Sequence, residues 1–213
     1  MNSHDLINML ATGLQPVPRH AVAKRNTLVL LTGVLVSLIL LCLIYGLRPD
    51  LPQASQQLAF WIKLGVPLSN ALLGLSIVLA LAYPGQRPRV AYWLLSVPIL
   101  CLWGWALWVW TGTAPSLRMG LLWGSTWKVC VMNITLLAVP VAIASLVVLR
   151  HLAPTRPVLT GALAGWFAGG VGAGVYALHC PEMAAPFLAI WYVLGMLLPT
   201  VIMAYLGHRW LRW

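Results

Sequence analysis

The sequence predicts an all-α membrane protein: a bundle of six transmembrane helices with both termini in the cytoplasm. Three observations carry that expectation. Of 213 residues, 61% are hydrophobic and only 8% are charged, whereas soluble domains carry roughly 25% charged residues. Uncharged apolar runs recur along the chain, each close to the roughly 20 residues that a helix needs to cross a hydrocarbon core of about 30 Å. The basic residues, finally, favour alternate connections between those runs, and that bias sets an orientation. The chain divides into a cytoplasmic amphipathic arm over residues 1–26 and a bundle over 27–213.

The arm reads MNSHDLINMLATGLQPVPRHAVAKRN. Leu6, Ile7, Leu10 and Leu14 recur at helical spacing, so a short helix carries one apolar stripe. Asn2 or Ser3 suits its cap, and Asp5 its first turn. The P-V-P segment stops the helix, and Lys24 with Arg25 anchors the chain at the headgroups. A stripe this short does not fold alone. It lies on the membrane surface, packs on the bundle, or enters a groove on a partner protein; the residues leave all three open. The first apolar run is too long for a signal-peptide core and no A-x-A site follows it promptly, so cleavage is not expected.

The spans follow in order: Thr27–Tyr45, Leu64–Tyr83, Val90–Trp110, Val129–Leu149, Val158–Leu178 and Phe187–Gly207. Turn formers punctuate them, as in R-P-D-L-P after the first and P-G-Q-R-P-R after the second. Pro67, Pro98, Pro140 and Pro199 fall inside or near the ends of spans, where neighbouring helices can re-satisfy the backbone. With the N-terminus inside, the inner segments hold Arg19, Lys24, Arg25, Arg87, Arg89, Arg150, Arg156, Arg209 and Arg212. The outer segments hold only Arg48, Lys63, Arg118 and Lys128. Trp61, Tyr83, Trp110, Trp127, Trp191 and Tyr192 suit an interfacial aromatic belt.

Composition also excludes functions. The net charge is +10, but the basic residues are dispersed at span ends, which suits lipid headgroups and excludes direct nucleic-acid binding. Asp5, Asp50 and Glu182 are the whole acidic set, and none lies within an apolar run. A paired-carboxylate hydrolase and a relay of buried acids therefore lack their residues.

The fifth run places Gly161, Gly165 and Gly169 on one helical face, where another backbone can approach closely. That helix is expected at the centre of the bundle. Asn70 and Asn133 sit at similar depth in the second and fourth spans. They serve either interhelical hydrogen bonds or a polar outer vestibule, and the vestibule supports a rival reading as a small transporter or channel. Against that rival, the six spans hold no Asp, Glu, Lys or Arg in their interiors.

Cys42 and Cys101 lie in apolar surroundings and are expected to pack. Cys130 opens the fourth span in W-K-V-C, and Cys180 lies in Y-A-L-H-C-P-E between the fifth and sixth, so both are expected at the outer face. With His179 and Glu182 beside Cys180, the residues leave three uses open: a turn, a disulfide, or redox and soft-metal sensing. A quinone-linked disulfide-generating enzyme is disfavoured, because each outer loop offers only one cysteine.

From HDLINMLATGLQPVPR through YGLRPDL, WKVC and LTGALAGWFAGGVGAGVYALHCPEMAAPFLAIWY to GHRWLRW, the chain resembles the NrsF family of bacterial inner-membrane anti-sigma factors. The resemblance implies a non-enzymatic regulator. Its bundle senses envelope stress, and its cytoplasmic part holds an extracytoplasmic-function sigma factor away from RNA polymerase. It implies that Cys130 and Cys180 sense heavy-metal or oxidative stress; His179 and Glu182, by their place beside Cys180 and their ligand chemistry, are further candidate ligands of a soft metal ion. No cofactor is required. The arm around Asp5, Leu6, Ile7 and Leu10 becomes the candidate sigma contact, and the lipid bilayer is the other partner.

Overall fold

Apolar runs bounded by turn formers become helices here, because a backbone in lipid must satisfy its own polar groups. The computed structural model describes residues 2–12, 20–82, 89–152 and 154–211, without the side chain of Arg89. Leu14, Arg19, Tyr83, Arg87, Arg212, the P-V-P stop and most of P-G-Q-R-P-R lie outside the described residues. The described chain is all-helical: α1 Ser3–Ala11, α2 Ala21–Ile44, α3 Leu51–Ala54, α4 Leu58–Leu81, α5 Arg89–Gly112, α6 Pro115–Trp123, α7 Trp127–Arg150, α8 Pro157–Tyr176, α9 Ala185–Phe187 and α10 Val193–Trp210. A π-helical turn, Leu188–Tyr192, joins α9 to α10. Six helices are long and apolar enough to cross a membrane, the last running from Ala185 to Trp210.

Two boundaries differ from the sequence expectation. The first span is helical from Ala21, so Lys24 and Arg25 ride on α2 itself. The second starts at Leu58 rather than Leu64, which places Lys63 inside α4. An uncharged run marks where lipid tolerates a chain; a helix extends further where its charges stay exposed, as Lys24 and Arg25 do, or find partners, as Lys63 does.

α8 is the centre of the bundle, 78% buried over its apolar window. Its glycines make this possible. A Cβ on Gly161 or Gly165 would collide with the carbonyls of Met203 and Pro199, and one on Gly169 would lie 2.8 Å from the Met196 Cα. That face therefore packs against α10. Gly170 meets the Pro67 carbonyl of α4 and Gly172 the Ile134 carbonyl of α7, where a Cβ would come within 2.7 and 2.6 Å. Small residues let backbones meet directly, which substitutes for the hydrophobic drive that lipid cannot supply.

α2 packs on α7 through Gly33, where a Cβ would lie 2.9 Å from the Ala144 Cβ, and through the Ser37 hydroxyl, which donates to the Leu137 carbonyl at 2.7 Å. α5 is peripheral, 11% buried. Cys42 and Cys101 are exposed on α2 and α5, not packed within the bundle as expected. α1 carries no buried residue.

Candidate functional site

Connections 45–57, 113–126 and 177–184 meet at one end of the bundle. The last, Ala177–Ala184, is tied to both of the others and to α4. Helix α8 ends at Tyr176, and Pro181 has no N–H to continue it. The segment therefore leaves helical hydrogen bonding, and its carbonyls must find donors elsewhere.

Those donors come from two basic residues, Arg48 and Lys63. The Arg48 amide donates to the Leu178 carbonyl at 3.2 Å, and its guanidinium donates to the Cys180 carbonyl at 3.3 Å. The same guanidinium grips Asp50 in a fork of 2.7 and 2.6 Å. The hydrogen bond from Arg48 holds the Asp50 carboxyl below its ordinary value, and Asp50 holds the guanidinium above its own. From α4, the Lys63 ammonium donates to the Cys180 carbonyl at 2.6 Å and to the Glu182 carbonyl at 2.8 Å. It also sits 5.5 Å over the Tyr192 ring.

The flanking residues complete the cage. His179 Nδ1 donates to the Gly46 carbonyl at 3.0 Å, and its ring packs with those of Tyr45 and Tyr176, which also touch each other. The Ser125 amide and hydroxyl both donate to Glu182 Oε1 at 2.7 Å. Gly124 adopts φ +53°, and a Cβ there would lie 2.7 Å from the Glu182 carboxyl carbon. Only glycine suits that backbone and that approach.

Cys130 and Cys180 belong to the same buried cluster. Both are free thiols with 0% exposure. Thr126 Oγ1 stands 3.8 Å from the Cys180 sulfur. The structure thus gathers the two thiols but gives His179 and Glu182 other partners. Among the described residues, no three His, Cys, Asp or Glu side chains are arranged to hold a metal ion. Both thiols are buried in packed side chains rather than on a surface open to the medium. A buried thiol reacts with an oxidant or a thiophilic ion only after the packing around it opens.

Two further expectations are corrected, and a third is narrowed to one of its alternatives. Lys63 is not a headgroup anchor: it is 1% exposed, so one span does hold a buried cation. Tyr192 is 3% exposed and leaves the aromatic belt for the core. Its buried hydroxyl has no hydrogen-bond partner among the described residues. The asparagines also bond to neighbouring residues. Asn70 accepts from the Trp166 indole at 3.2 Å. Asn133 accepts from the Tyr45 hydroxyl at 2.9 Å and donates to the Tyr176 hydroxyl at 3.4 Å. These bonds tie helices together, the first of the two uses read for them.

Sequence reasoning missed the roles of Arg48 and Lys63. A signal was present: both lie on the side that carries the fewer positive charges. A cation against the prevailing bias calls for a partner.

The candidate sigma contact lies apart from this end. Asp5, Leu6, Ile7 and Leu10 project from α1, with Leu6, Ile7 and Leu10 exposed at 41, 60 and 67%.

Comparison with known proteins adds three findings. A family model described as NrsF, negative regulator of sigma F, matches residues 10–213. A probable anti-sigma-F factor NrsF of Azospira oryzae is 40% identical over 213 residues, covering all of both chains. An anti-sigma-F factor NrsF of Caulobacter vibrioides is 36% identical over 222 residues, again covering all of both. No solved structure matches the chain.

Proposed function

Since the chain belongs to the NrsF family of negative regulators of sigma F, we propose that it is a membrane-embedded anti-sigma factor. It sequesters an extracytoplasmic-function sigma factor at the cytoplasmic face of the bacterial inner membrane. It releases that factor when metal or oxidative stress reaches Cys130 and Cys180 from the envelope side. The observation that carries the reading is end-to-end similarity to anti-sigma-F factors. The charge bias toward the segments beside both termini supports cytoplasmic termini.

In this reading, α1 offers the sigma factor its exposed stripe of Leu6, Ile7 and Leu10, with Asp5 in its first turn. The stimulus acts at the opposite end of the bundle. Moving a two-state balance from about 99:1 to about 1:99 takes roughly 5.5 kcal/mol of differential stabilisation. A disulfide between Cys130 and Cys180, or a soft metal ion held by their thiolates, has energy of that order. The proposal needs no catalysis and no resident cofactor.

Full-length protein, solubilised from membranes and captured by a tag, is expected to bring the cognate sigma factor with it. Leu6→Asp with Leu10→Asp is expected to reduce that capture by about tenfold or more while the bundle keeps its thermal stability. Unchanged capture moves the contact away from α1. No sigma factor in the wild-type eluate defeats the anti-sigma reading.

A further inference from the structure

We propose that Lys63 is a positioning residue that fixes the sigma-holding packing: its buried ammonium ties α4 to the segment carrying Cys180. This rests on the anti-sigma reading and adds to it a residue outside the cysteine pair. An ammonium buried at 1% exposure is costly unless it is paired and hydrogen-bonded. Among the described residues, the sole salt bridge joins Arg48 to Asp50. The stabilisation of Lys63 thus comes from the Cys180 carbonyl at 2.6 Å, the Glu182 carbonyl at 2.8 Å and the Tyr192 ring. A methionine or leucine would fill the same volume without a desolvation cost. The cation does what they cannot: its bonds exist only while residues 180–182 keep this backbone.

The contact is placed to transmit. Pro67 lies one turn along α4, and its carbonyl abuts Gly170 of α8. Tyr192, under the ammonium, closes the π-helical turn that leads into α10. A π turn is a local irregularity in a helix, and such turns recur at functional sites. Lys63 therefore joins three elements: α4, the segment after α8, and the entry to α10. When peroxide oxidises Cys130 and Cys180 to a disulfide, the two thiols give up two protons and two electrons and the peroxide leaves as two waters; a turn of the Cys180 backbone in that step pulls its carbonyl from Lys63, and α4 loses its hold on that segment.

The test combines Lys63→Met and Lys63→Arg in the full-length protein. Maleimide labelling of Cys180 is measured in detergent, with Cys42, Cys101 and Cys130 replaced by serine. Sigma factor captured per copy of solubilised protein is measured in the wild-type background and again with Cys130 and Cys180 both replaced by serine. Counting per copy keeps poor accumulation from imitating release. Lys63→Met is expected to raise the labelling several-fold and to lower capture by about tenfold without inducer, in both backgrounds. Lys63→Arg is expected to restore much of both. Unmoved labelling overturns the tie; raised labelling with unmoved capture overturns its link to sigma. A wild type that captures no sigma factor overturns the parent reading, and that result appears without any change at Lys63.

Discussion

Arg48 and Asp50 form an ion pair in which one partner is buried and the other open, with side-chain exposures of 6 and 58%. Such a half-exposed pair adds little to stability by itself. Its value here is geometric, since it orients the guanidinium that reaches the Cys180 carbonyl. The folded-state pKa of Asp50 is lowered by the hydrogen bond from Arg48, from an ordinary 3.8. Its stabilising contribution is therefore present above 3.8 and is lost as pH falls through the lowered value. Asp50→Asn is expected to melt slightly below wild type in detergent at neutral pH. The gap is expected to close as the pH drops below that range, and a gap that widens on acidification contradicts the assignment.

At the scale of elements, the glycine face of α8 is the feature most exposed to substitution. Gly165→Val drives a branched side chain into the Pro199 carbonyl and toward the Thr200 Cα, 2.7 Å from an ideal Cβ. Both are backbone atoms that a rotamer change does not move. Overpacking typically costs about 1–3 kcal/mol, and more where the backbone must shift. A loss of that size is expected in detergent melts, against little effect for Gly104→Ala, whose added Cβ meets nothing within 4 Å.

This face was legible in advance, because four-residue glycine spacing has one helical meaning. The buried thiol compartment was legible only in part. The W-K-V-C and H-C-P settings placed both cysteines at one depth, but the carbonyl contacts of Lys63 and Arg48 depend on where Ala177–Ala184 folds. No periodicity encodes that path. Likewise, hydropathy sees Lys63 as the end of a span, since it counts the charge and not the carbonyls that satisfy it.

Across the whole molecule, α2 runs from the side where the arm joins the bundle to the connection that packs on the Cys180 segment. Signalling between the arm and the thiols requires a body with two packings, and rigid helices meeting backbone to backbone along α8 provide discrete rather than graded contacts. Membership of the NrsF family gives the arm and the thiols their meaning, since neither α1 nor two buried thiols names a partner. Six spans were readable from apolar length alone. What acts on the bundle was not, because charge bias orients a chain without naming a stimulus.

The measurement that bears most directly on the account is sigma-factor capture by the full-length protein before and after exposure to cadmium or peroxide. Wild type is compared with Cys130→Ser/Cys180→Ser. The account predicts that wild type gives up most of its sigma factor on exposure, whereas the serine protein keeps it. Equal release from both proteins would contradict it.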